Sequence, residues 1–185
     1  IAPLILLILL FCHRTLAGLV TVHLLQTTDI HAVLTKEEPE SGSWLKIASL
    51  IQEVRSQYGR ENCILIDCGD TIQGTLIGAI SRGAAAIIPL KALQYDVWVP
   101  GNHEFDFGFP RFLELAETQR DILLCGNLQP LQAAPFPAWK MLERNGARIA
   151  LIGMTASYLK FWFGESFGDA CKVDFAETSL QRILP

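Results

Sequence analysis

What most restricts the fold of this chain is an alternation repeated along it: a short apolar run, a polar turn, then a stretch with helical spacing. Leu19 to Thr28 is dense in Val, Leu and Thr. Cys63-Ile64-Leu65-Ile66-Asp67 is a second such run, Asp96-Val97-Trp98-Val99-Pro100 a third, and Asp121 to Cys125 a fourth. Runs this short, bounded by Gly, Asp and Asn, predict strands. Between them, Trp44 to Tyr58 carries Leu45, Ala48, Ile51 and Val54 at the spacing of an amphipathic helix, closed by Gly59. Ser81 to Gln94 predicts a helix kinked at Pro89, and Pro110 to Arg120 one that starts on its proline. Strands alternating with helices predict an α/β domain whose mainly parallel sheet is flanked by helices. Further on, Ala138 to Glu143 and Arg148 to Met154 predict a hairpin turning through Asn145-Gly146.

A parallel sheet built this way gathers its strand ends along one edge, where ligands bind in open α/β sheets. Three consecutive strand ends carry polar groups. The first strand runs into Thr28-Asp29-Ile30-His31, where a carboxylate and an imidazole two residues apart leave an extended chain on the same side. The second runs into Gly69-Asp70, whereas Asp67 lies inside its apolar run and is the poorer ligand candidate. The third opens Gly101-Asn102-His103-Glu104-Phe105-Asp106-Phe107-Gly108, with an amide, an imidazole and a carboxylate able to orient that imidazole. A His with a nearby Asp is also a common structural pair, and Asp-x-His is frequent by chance, so the combination carries more than any part. The spacings of 41 residues from Asp29 to Asp70 and 33 from Asp70 to His103 each accommodate one crossover helix. Carboxylate oxygens mixed with imidazole suit zinc, manganese or iron rather than calcium. A carboxylate between two ligand groups can bridge two such ions, an arrangement suited to phosphoryl displacement.

Composition narrows the alternatives. The chain has 185 residues, half of them apolar, enough for one domain with a real core. Its net charge of −4 and the lack of any Lys/Arg block argue against a nucleic-acid polymer as partner. Ile1 to Phe11 is apolar but is interrupted by Cys12-His13-Arg14, short of the roughly 18 to 20 residues of a stable membrane span. It fits the apolar region of a signal peptide, with Thr15-Leu16-Ala17 as a cleavage site before Gly18. Residues 1–17 are therefore read as a signal-peptide remnant on an exported protein, in preference to a buried first element, because the first convincing strand opens near Leu19. Five cysteines without a Cys-x-x-Cys, and with Cys63 and Cys68 on opposite faces of one strand, argue against a disulfide framework. Cys125 reads as a small buried hydrophobe, Asn127 as a turn-stabilising residue or a further edge group, and Phe161, Trp162, Phe163 and Phe167 as a core lid or an interface. His23 is about 20 Å along the strand from Asp29, too far to share its site.

Taken together, Thr28-Asp29-Ile30-His31, Gly69-Asp70 with Gln73-Gly74-Thr75, and Gly101-Asn102-His103-Glu104-Phe105-Asp106 resemble the first three signature motifs of the calcineurin-like metallophosphoesterases. More narrowly they resemble the branch of 5′-nucleotidases and 2′,3′-cyclic-nucleotide phosphodiesterases, in which Gln73-Gly74 replaces the Asp-Arg of many relatives. The resemblance implies a nucleotide substrate and two divalent metal ions, with Asp29 and His31 on one, Asn102 on the other and Asp70 bridging. It also implies water attack on phosphorus, His103 steadying or protonating the departing oxygen, Asp106 orienting His103, and Glu104 and Phe105 supporting the loop. The fold it implies is the first half of a β-sandwich in αββα layers. On this expectation residues 18–185 are an incomplete N-terminal domain, the later metal-ligand motifs and the C-terminal nucleotide-binding domain being absent, so that the 185 residues alone turn over little substrate. His103 with Asp106 looks closer to the 5′-nucleotidases, whereas Gly69 to Gly74 and Lys46 to Ile51 look closer to the cyclic phosphodiesterases. A non-catalytic binding module on the same fold is the third reading.

Overall fold

A computed structural model describes residues 19–35 and 42–184. The predicted leader, residues 1–17, lies outside the described residues. No helix among those described is long and apolar enough to cross a membrane.

The first three predicted strands form one parallel sheet. Strand β1 (His23–Thr27) pairs with β2 (Cys63–Asp67), in register from His23 with Cys63 to Thr27 with Asp67. Strand β2 pairs in turn with β3 (Val97–Trp98), giving the order β1-β2-β3. β1 is shorter than the apolar run that predicts it, because pairing with β2 begins only where His23 meets Cys63 and ends where Thr27 meets Asp67. The fourth predicted strand is reduced to a single parallel bridge between Trp98 and Leu123, held by Trp98 N–H to the Ile122 carbonyl and Leu124 N–H to the Trp98 carbonyl.

Side chains alternate across β2 and separate two cores. Leu65, with Trp98 of β3, faces helices α1 (Trp44–Tyr58), α3 (Ala84–Ala92) and α4 (Phe109–Thr118) through Ile51, Ile87, Leu90, Phe112 and Leu115. Ile64 and Ile66 face the opposite way, onto Leu142, Ile149 and Leu151 of the hairpin β5 (Trp139–Arg144) and β6 (Ala147–Ile152). The layers are thus helix, parallel sheet, hairpin. Each fully buried side chain of this size contributes about 1.5–3 kcal/mol relative to exposure. The hairpin turns through Asn145 (φ 50°) and Gly146 (φ 78°), the left-handed pair that a two-residue turn requires. Before it, β4 (Leu128–Pro130) pairs antiparallel with a later strand β7 (Cys171–Val173).

Two helix expectations shift. In α1 the buried stripe runs through Trp44, Ile47 and Ile51, and Leu45 is exposed. Trp44 takes the core position because its ring meets Tyr95 edge to face at 5.8 Å. The helix expected over Ser81 to Gln94 is α3, which starts only after Arg82 (φ 47°) and Gly83 (φ 84°) turn left-handed and holds Pro89 inside it; a further helix, α2 (Leu76–Ser81), precedes that break. Helix α4 begins at Phe109 with Pro110 in its first turn. The chain closes with α5 (Leu159–Phe163), α6 (Glu165–Gly168), β7 and α7 (Ala176–Ile183).

Candidate metal centre

The loops leaving β1, β2 and β3 lie side by side. The first two are laced by backbone hydrogen bonds: Asp29 N–H to the Gly69 carbonyl (3.0 Å), His31 N–H to that of Asp70 (2.9 Å) and Ala32 N–H to that of Thr71 (2.7 Å). This lacing needs a tight curl, and Asp29 (φ 55°), His31 (φ 52°), Ala32 (φ 57°) and Asp70 (φ 55°) all adopt left-handed backbone conformations. Such conformations are uncommon for residues other than glycine and are held only by their surroundings. The extended geometry expected for Asp29 and His31 is therefore replaced by a left-handed turn. The two side chains still converge, with His31 Nε2 3.8 Å from Asp29 Oδ1.

Glycines let the loops approach this closely. A Cβ on Gly69 would collide with the backbone nitrogen of Gly101, and one on Gly101 with Asp70 Oδ1. A Cβ on Gly74 would come within 2.6 Å of the Cβ of His31. The second and third loops are then joined by polar contacts. Asp70 Oδ1 accepts the His103 backbone N–H at 2.9 Å. Glu104, fully buried in the 3₁₀ turn His103–Phe105, accepts the backbone N–H groups of Asp70 (2.8 Å), Thr71 (2.7 Å) and Gly101 (2.7 Å). Burial pushes its carboxyl up to about 7, against the hydrogen bonds from Thr71 and Asp70. Phe105 is buried behind the loop against Phe112 and Phe167, with ring centroids 4.6 and 5.2 Å away.

His31, Asp70 and His103 each bring a ligand-type atom within 4.8 Å of the other two. The two imidazoles meet edge to face with centroids 5.1 Å apart. His31 Nδ1 lies 2.8 Å from the carbonyl oxygen of Gln73, which can only accept, so Nδ1 carries the proton and Nε2 keeps its lone pair. His103 Nδ1 lies 2.7 Å from Asp106 Oδ2, which fixes the same tautomer. Imidazoles whose Nδ1–H is anchored to a carbonyl or carboxylate are what a divalent ion requires of its histidines. Asp70 spends Oδ1 on the His103 N–H, and Asn102 immediately precedes the 3₁₀ turn that carries His103. The donors present fit divalent cations. Burial draws the His103 imidazole down, but the hydrogen bond and charge of Asp106, with Asp70 and Glu104, outweigh it and leave the group above its ordinary value.

Asp67, passed over as a ligand, is fully buried and accepts hydrogen bonds from the Thr27 hydroxyl (2.7 Å), the Thr71 hydroxyl (2.7 Å) and the Gly69 N–H (3.1 Å). It shapes the turn that presents Asp70. Asn127 is also buried and satisfied, donating to the Thr155 and Asp174 carbonyls and accepting the Thr155 N–H, so it braces the strand ends and offers no free group. Thr155, which no sequence motif singles out, reaches the Gly101 carbonyl with its hydroxyl at 3.4 Å. The aromatic group splits: Phe163 and Phe167 pack behind the third loop, while Phe161 and Trp162 are exposed. His23 stacks on Tyr58 with ring centroids 3.8 Å apart, away from these loops.

The sequence and fold are similar to those of known proteins. Residues 22–163 match the family model described as calcineurin-like phosphoesterase. Human 5′-nucleotidase is 27% identical over 162 residues, covering 78% of this chain and 28% of that protein. The 2′,3′-cyclic-nucleotide 2′-phosphodiesterase/3′-nucleotidase of Haemophilus influenzae is 34% identical over 103 residues, 48% of this chain and 15% of that protein. Among solved structures, the calcineurin-like phosphoesterase YfkN of Bacillus subtilis superposes with a TM-score of 0.70 at 26% identity, covering 90% of this chain and 57% of that one. The chain thus spans well under a third of the length of these two curated relatives.

Proposed function

Because the chain belongs to the calcineurin-like phosphoesterase family, we propose that its three strand-end loops form part of a metal-dependent phosphoester hydrolase acting on nucleotides, a 5′-nucleotidase. The observation that carries this reading is the meeting of His31, Asp70 and His103 within 4.8 Å, on loops that leave three separate parallel strands. Two divalent metal ions, zinc or manganese with iron as the third choice, would supply charge neutralisation at phosphorus and activation of the attacking water. Asp29 and His31 would hold one ion, Asn102 the other, and Asp70 both. The Nδ1–H···Asp106 bond leaves His103 Nε2 to take up a second proton, and the imidazolium so formed can donate that proton or a hydrogen bond to the departing oxygen while Asp106 keeps the ring in place. The raised affinity of His103 for its proton favours that donor role near neutral pH. Export, read from residues 1–17, and completion of the site by a C-terminal part of the same protein belong to the same proposal.

The similarity to a cyclic-nucleotide 2′-phosphodiesterase favours a second reading, hydrolysis of 2′,3′-cyclic nucleotides. Offering AMP and 2′,3′-cyclic AMP with Mn²⁺ to the intact protein separates the two. Faster release from AMP is expected, and His103→Asn should reduce it by about 10²–10⁴-fold. Mn²⁺ binding without hydrolysis of either substrate would make the protein a binding module and refute the proposal.

A further inference from the structure

Glu104 is a carboxylate with nowhere to go but inward. It is fully buried, and its two oxygens face three backbone N–H donors, those of Asp70, Thr71 and Gly101. No ion pair with a basic side chain is found for it among the described residues. Both carboxyl oxygens are thus used as acceptors, Oε2 twice and Oε1 once. The contacts are also reciprocal. Glu104, on the third loop, grips the backbone of the second, and Asp70, on the second, grips the His103 N–H of the third.

We propose that Glu104 is a positioning residue for the metal centre, holding Asp70 against Asn102 and His103 through the backbone amides of residues 70, 71 and 101. The inference rests on the function proposed above. Its physical basis is that Asp70 has a left-handed backbone (φ 55°), a conformation that its surroundings must hold. Anchoring the N–H groups of Asp70 and of Thr71 to one carboxylate fixes the peptide planes on both sides of the Asp70 Cα, and therefore the direction of its side chain. Gly101, whose N–H shares Oε2 with that of Asp70, brings the third loop to the same atom.

Glu104→Gln keeps the shape but can present only one accepting oxygen. With that oxygen toward Asp70 and Gly101, its amide group meets the Thr71 N–H donor to donor. The expected result is Mn²⁺ binding by the full protein weakened about tenfold or more in calorimetry, with the far-UV spectrum retained. Glu104→Asp keeps the charge one methylene short and should lose less. In the metal-free wild type, hydrogen exchange should find the amides of residues 70, 71 and 101 slow although they lie in loops. Mn²⁺ affinity unchanged in both variants, or fast exchange at all three amides, would overturn the inference. A wild type that binds Mn²⁺ and hydrolyses no nucleotide sinks the function while leaving Glu104 its role; a nucleotidase whose Glu104→Gln form binds Mn²⁺ undiminished does the reverse.

Discussion

Raising the pH from about 4 to about 7 should destabilise the metal-free protein through one buried carboxyl, that of Asp67. Burial drives this group up from 3.8 to about 6, and the hydrogen bonds from Thr71, Thr27 and Gly69 recover only part of the shift. In the unfolded chain the same carboxyl titrates at its ordinary value. Between the two values the folded protein holds more protons than the unfolded one, so stability falls as pH rises across that window. The contribution is complete below the unfolded value and gone above about 6. A shift of about two units at 1.36 kcal/mol each corresponds to about 3 kcal/mol. Asp67→Asn removes the titration with little change of shape. Its oxygen can keep the Gly69 N–H and the Thr71 hydroxyl, while its amide group donates to the Thr27 hydroxyl oxygen. Thr27 then turns its own proton toward the Tyr95 hydroxyl, 2.9 Å away. Urea unfolding of both proteins in chelator at pH 4, 5, 6 and 7 reads the effect. The stability difference between wild type and variant should move against the wild type by about 2 kcal/mol over that range, since at pH 4 the unfolded carboxyl is already more than half ionised. Glu104 is present in both proteins, so its own upward shift cancels apart from the part that the Asp67 charge adds to it. Parallel curves for the two proteins would refute the reasoning.

Two further outcomes follow from packing. Gly101 has no left-handed φ, so Gly101→Ala leaves the backbone permitted while its Cβ strikes Asp70 Oδ1; Mn²⁺ affinity should fall about tenfold with the fold intact, and equal affinity in a calorimetric titration would contradict the geometry. Leu65 is wholly buried in the central strand between the helices and the sheet, so Leu65→Ala should cost about 2–5 kcal/mol in urea unfolding, and a loss under about 1 kcal/mol would mean that the helical layer packs loosely there.

The alternation of apolar runs and helical stripes was enough to predict the parallel β1-β2-β3 sheet, α1, α4 and the hairpin, because strand and helix periodicity are local and the Asn145-Gly146 turn needs only its own two residues. It was also enough to place His31, Asp70 and His103 at one edge, with Asp29 beside His31, since crossovers between parallel strands return the chain to the same end of a sheet. What the alternation could not supply was any feature decided by contacts distant in the chain. The run at Asp121 to Cys125 has strand composition yet makes one bridge, because pairing with β3 ends after Trp98. The left-handed turns at Asp29 and Asp70 are held by the lacing of the two loops, amide to carbonyl, across some forty residues; Asp tolerates that conformation better than most residues but does not by itself specify it. The buried carboxylates of Asp67 and Glu104 look unremarkable as letters. Only folding shows that each is ringed by donors, from residues as far as 40 and 34 positions away, and so converts three flexible strand ends into one site.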